Sequence, residues 1–125
     1  MNEPGTTQPT HPCRNEPSWS RSEKAIARKV YDAALKRELQ DVMQEAKQMA
    51  IRIKEPADAW RLERYLTQRR KDIDRRYEFR SSRLTQMLGM LLCERRISRE
   101  ELRGLGEDKM RAIHSCAELL SRYAA

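Results

Sequence analysis

The sequence predicts an all-α protein, a long two-helix hairpin carrying a small C-terminal helical head. Three observations predict it. Apolar residues return every three to four positions through residues 26–53, and Leu62, Leu66, Ile73 and Tyr77 recur at steps of four and seven, the spacings that line one face of a helix. Ser-x-x-Glu patterns at Ser20/Glu23 and Ser98/Glu101 read as capping boxes that open helices. β-Branched residues are few and nowhere alternate with polar ones, so no strand is signalled.

The elements follow in order. Residues 1–18 hold Pro4, Pro9, Pro12 and Pro17 among Thr, Gln, Asn and Gly, too little apolar surface to offset chain entropy, and are read as a disordered tail. Residues 19–125 form one helical domain, with the hairpin over 19–95 and the head over 96–125. In the first helix Ile26, Val30, Ala34, Leu35, Leu39, Val42, Ala46, Met49 and Ile53 make one stripe. At 1.5 Å per residue this helix is roughly 45–50 Å long, beyond a compact domain of this size, so something must cover its far end. Lys54-Glu55-Pro56 stops it, since proline disfavours helical geometry in the residue before it and lacks an amide hydrogen. Pro56 then suits the first turn of a second helix. That helix runs from about Ala57 through Arg80 and on toward Glu94 with Leu84, Leu88, Leu91 and Leu92; Ser81, Ser82 and Gly89 are its weak points. Tyr77 and Phe79, two residues apart on a helix, would not both face the hairpin. A short helix opens at Ser98, Gly104 and Gly106 bracket a turn, and a last helix from about Asp108 carries Met110, Ile113, Ala117 and Leu120 inward.

Composition narrows the functional classes. With 38% hydrophobic and 36% charged residues, each helix buries one stripe and a lone chain has a thin core, which self-association would thicken. A net charge of +7 and a pI near 9.7 suit nucleic acid, an acidic membrane surface or an acidic protein. No apolar run is long enough to span a bilayer and no secretory signal opens the chain, so a cytoplasmic location is expected. Cys13, Cys93 and Cys116 are widely spaced, without a CxxC and with only His11 and His114 for company, and are read as reduced thiols. His114 and Cys116 sit two apart, on different helix faces. No catalytic residue, metal or cofactor is expected.

The charged helix of residues 60–80 holds the candidate site. Arg69 and Arg70 lie on or beside its apolar stripe of Leu62, Leu66, Ile73 and Tyr77. Arg69 reads as solvated, whereas the planar fork of Arg70 suits a carboxylate held bidentately across a seam between subunits. Asp74, one turn on, would pair with Arg70 within the chain or across that seam. Nucleic-acid binding is the alternative class: nine basic residues face four acidic ones between positions 61 and 83. Phosphate binding needs those charges on one continuous face, and Arg61, Arg64, Arg75 and Arg83 scatter around the helix instead.

An ordered set of residues carries a resemblance. Trp19-Ser20, Tyr31-x5-Arg37-Glu38-Leu39, Trp60-x-Leu62, Arg70-x2-Ile73-Asp74-x2-Tyr77-x2-Arg80, Glu101-Leu102 and Asp108-Lys109 together resemble the fluorescence recovery protein family over roughly residues 19–113. The resemblance implies an all-helical homodimer without enzymatic activity, cofactor or small-molecule substrate. It implies a partner too, the C-terminal domain of photoactivated orange carotenoid protein or of a related carotenoid-binding protein, whose return from red to orange the family accelerates, ending photoprotective quenching. Carried across, Trp60 and Arg70 fall at the dimer interface and partner-binding face, with Asp74, Tyr77 and Arg80 completing the signature. Where cyanobacterial members carry a His-Asp pair after the tryptophan, this chain has Glu63 and Arg64, and Ala59 stands where they tend to have leucine. These departures resemble members from bacteria without phycobilisomes, which leaves a same-fold regulator of a different client as the second expectation.

Overall fold

The structure, a computed structural model, describes residues 17–124. The expected disordered tail lies almost wholly outside them. Four helices follow in order: α1 (Arg21–Ile51), α2 (Pro56–Arg76), α3 (Leu84–Cys93) and α4 (Glu107–Ala124). Single 3-10 turns at Ser81–Arg83 and Glu100–Leu102 interrupt the connections, and no strand occurs among the described residues.

α1 begins as its sequence dictates. Ser20 accepts the Glu23 amide at 3.2 Å and Glu23 accepts the Ser20 amide at 2.9 Å, satisfying two donors that a helix start would leave open. The Glu23 carboxylate reaches further, to the Gly106 amide at 2.8 Å and the Lys109 ammonium at 3.1 Å. One side chain therefore caps α1 and fastens it to the start of α4. At the other end Asp58 accepts the amides of Lys54 and Glu55 at 3.0 and 3.2 Å, so the bend at Pro56 is closed by the first turn of α2.

α2 stops at Arg76 rather than continuing toward Glu94, and residues 77–80 cross to the head without helical structure. This changes the fate of the two aromatics. In extended backbone residues i and i+2 share a side, so Tyr77 and Phe79 both meet Tyr31 edge-on, at centroid distances of 5.7 and 5.3 Å. The expectation that they could not face the hairpin together fails because the segment is not helical. The Arg28 guanidinium closes the cluster over the Tyr31 and Phe79 rings at 5.2 and 5.0 Å.

α3 packs chiefly against α4, and Gly89 is what permits the approach, since a Cβ there would stand 2.8 Å from the Cβ and Sγ of Cys116. α3 ends in a Schellman motif: the Arg96 amide donates to Leu91 O, the Arg95 amide to Leu92 O, and Arg95 takes a left-handed φ of 61°. The expected short helix at Ser98 is the 3-10 turn, followed by Gly104 at φ 103°. Cys93 is a free thiol, as expected, but Cys116 is disulfide-bonded, which corrects its reading as a reduced thiol.

The core collects at the head. Leu84, Leu88 and Leu91 of α3, Leu102 of the 3-10 turn, Ile113 of α4 and Ala27, Val30 and Ala34 of α1 are buried together. Each large side chain among them contributes about 1.5–3 kcal/mol by leaving water. Between Glu38 and Ile73 the described residues include no buried apolar side chain.

Candidate functional site: the outer face of the second helix

α2 has two faces of different chemistry. Leu62, Tyr65, Arg69, Ile73 and Arg76, at steps of three and four, turn inward and are buried or half-buried. Trp60, Glu63, Arg64, Arg70 and Asp74, on the same period offset around the helix, are exposed. Trp60 keeps 61% of its surface in solvent, unusual for so large an aromatic. Other exposed large apolar residues of the hairpin are Leu39, Met43, Ile51 and Ile53 before α2 and Leu66 within it. Among the described residues the side chains of Arg70 and Asp74 have no ion-pair or hydrogen-bond partner, so the expected pairing within the chain is not made.

A buried carboxylate sets the rotation of α2. Glu38 of α1 is wholly buried, and its Oε2 accepts from Arg69 and Arg76 at 2.6 Å each, with Arg96 at 3.4 Å. Arg76 also pairs with Glu94 at 2.7 Å, and Arg69 and Arg96 reach Asp72 and Asp41, each at 3.7 Å. Burial alone would raise the Glu38 pKa. The Tyr77 hydroxyl, Arg69 and the charges of Arg76 and Arg96 outweigh it and hold the group below its usual range. Tyr77 titrates in the opposite sense, pushed well up by burial and then by the neighbouring Glu38. Because Arg69 and Arg76 are seven residues apart, two turns of one face, fixing both inward leaves the tryptophan face outward.

The residues expected at the site therefore divide. Trp60, Glu63, Arg64, Arg70 and Asp74 come together on one exposed face. Tyr77 is buried behind the helix end, and Arg80 lies beyond α2, paired with Glu78 at 2.9 Å. Arg69 corrects the reading that made it solvated, because the cross-helix carboxylate lies on its side and not on that of Arg70. Glu38, Arg76 and Arg96 were missed as a group. Their signal is an acidic residue at a stripe position between Ala34 and Val42, opposite arginines seven apart.

No group of His, Cys, Asp or Glu among the described residues is placed to hold a metal ion. No helix among them is long and apolar enough to cross a membrane.

The fold recurs in known proteins. The sequence profile of the photoprotection regulator fluorescence recovery protein matches residues 19–117. The fluorescence recovery protein of Synechocystis sp. (strain PCC 6803) is 32% identical over 104 residues, covering 83% of this chain and 95% of that relative. The solved structure of the Fremyella diplosiphon fluorescence recovery protein superposes with a TM-score of 0.77 at 32% identity, over 81% of this chain and 99% of that one. The Synechocystis structure gives the same TM-score of 0.77 at 31% identity, over 81% and 99% of the two chains. The helical order and the match through nearly all the described residues agree: the chain belongs to the fluorescence recovery protein family of photoprotection regulators.

Proposed function

We propose that this protein is a non-enzymatic, homodimeric regulator that binds the C-terminal domain of photoactivated orange carotenoid protein and accelerates its red-to-orange reversion. The observation that carries the reading is the family match over residues 19–117 together with the exposed Trp60 face that the matched region contains. The distal half of the hairpin supports the dimer, since Leu39, Met43, Trp60 and Leu66 are large apolar side chains left in water on a chain with a thin core. A second copy covers them, and Arg70 and Asp74, without partners among the described residues, find them across the seam.

The mechanism is differential binding. A regulator that grips the carotenoid protein's domain more tightly on the way to the compact state than in the separated state lowers the barrier to closing. No bond is made or broken by this chain.

The test is the dark recovery of photoconverted orange carotenoid protein, followed by visible absorbance, with this protein, without it and with Trp60→Ala. Faster recovery that disappears in the variant supports the reading. No acceleration by a folded dimer in excess over its partner would assign the fold to a different client and show that Glu63 and Arg64 have changed the recognition.

A further inference from the structure

A groove of about 430 Å³ lies where α1 passes the loop between α3 and α4, and none of the residues of the tryptophan face lines it. Its floor is the α1 face of Ile26, Val30 and Ala33, and its far wall is the stretch from Glu101 to Arg103. The volume falls in the ~300–1,000 Å³ range of clefts that take a ligand. Three devices hold the wall rigid. Arg37 pairs with Glu101 and donates to Arg96 O at 3.0 Å. Gly104, at φ 103°, brings the loop so close to α1 that a Cβ would meet Ile26 Cδ1 at 2.7 Å. The Glu23–Gly106 bond fastens the next residues. A groove already shaped costs little to order on binding.

The charges at its rim are unbalanced. Glu101 is neutralised by Arg37, and its pKa is held down first by that bond. The side chains of Lys29 and Arg103 are exposed and, among the described residues, have no ion-pair or hydrogen-bond partner. The groove thus offers an alkyl floor between two uncompensated cations. A nucleic-acid backbone has no use for the floor, whereas an amphipathic acidic segment uses both features.

We propose that this groove is a second docking site, for an acidic amphipathic peptide segment of a partner protein that places an apolar side chain over Ala33 and carboxylates against Lys29 and Arg103. The proposal is independent of the function assigned to the tryptophan face.

The test uses the full-length protein and a fluorescein-labelled peptide of about 14 alternating Glu-Glu-Leu-Leu residues, followed by anisotropy. Two control peptides replace Leu by Gly or Glu by Lys. The expected result is saturable binding of the Glu/Leu peptide, about tenfold weaker or worse for either control and for Lys29→Glu/Arg103→Glu, and weakened by salt. Ala33→Trp, which fills the floor without touching charge, should weaken it comparably, and it keeps the test decisive if the charge reversal unfolds the protein by circular dichroism. Trp60→Ala should leave it unchanged. The proposal is overturned by absence of binding, by equal binding of the Gly control, by indifference to the folded groove variants, by loss in Trp60→Ala, or by displacement with a single-stranded oligonucleotide.

Discussion

Two stretches of the same hairpin obey the same apolar periodicity and meet different ends. From residue 27 to 38, α1 lies against the head, and its stripe residues Ala27, Val30 and Ala34 are buried. From residue 39 onward apolar residues continue through the end of α1 and into α2, yet Leu39, Met43, Ile51, Ile53, Trp60 and Leu66 are exposed and Val42, Ala46, Met49 and Leu62 only half-buried. Periodicity therefore tells which side of a helix is apolar and says nothing of whether that side is covered. Coverage depends on how far the other elements reach, and α3 and α4 reach only as far as Glu38. At that boundary the stripe becomes a charge, buried and held by arginines from two other segments.

The contrast can be broken most forcefully by making the same deletion on each side. Leu88→Ala, in the covered part, should cost about 3 kcal/mol or more, because a fully buried leucine leaves a cavity behind. Leu39→Ala should cost under about 0.5 kcal/mol in dilute solution. Urea unfolding of both variants checks this; if the Leu39→Ala loss grows with protein concentration, a second copy supplies the missing cover.

The boundary itself should be nearly as sensitive. Glu38→Gln preserves volume but leaves Arg69, Arg76 and Arg96 around an uncharged amide, and should cost about 2–3 kcal/mol, a figure reduced from fully buried pairs because the arginines are partly wet. The chemical midpoint in urea should fall accordingly, and trypsin should reach the end of α2 sooner.

A smaller effect separates the regions by pH. The amides of Ser20 and Gly106, then Lys109, lower the Glu23 pKa from 4.5 to about 2. Folded, the carboxyl stays ionised until pH nears 2; unfolded, it takes its proton near 4.5. Its stabilisation is therefore complete above that unfolded value and is lost as pH falls from there toward 2. Thermal melts at pH 7 and pH 3 should show Glu23→Gln with the shallower acid loss, since it has no carboxyl there to titrate.

The smallest change is a gain. Arg95→Gly relieves a left-handed residue in the Schellman motif and should stabilise the head by about 1 kcal/mol, read as a rise in melting temperature. Residues 39–66 should not respond.

Much of this was legible in the sequence. Ser20/Glu23 opened α1 and Pro56 took the first turn of α2 where expected, while α1 itself ended at Ile51, short of Ile53, and the shared outer face of Trp60, Glu63, Arg64, Arg70 and Asp74 emerged only from the structure. The choice between Arg69 and Arg70 was not legible, because it depends on how α2 is rotated against α1, and only the partner Glu38 decides that. The end of α2 at Arg76 was hidden for a related reason. No proline or glycine marks it, and the chain leaves the helix there because Tyr77 and Phe79 gain more from Tyr31 than from another turn.

The clamp at Glu23 also fixes when the protein can fold. Its bond to Gly106 joins residues 83 apart in sequence. At ordinary rates of synthesis, roughly 5–20 residues per second, the carboxylate waits on the order of 4–17 seconds for its partner to be made. Until Gly106 is made α1 cannot be fastened to α4, and the part of its stripe that packs at the head is not fully covered. The nascent chain is thus the stage at which a holding chaperone has most to cover.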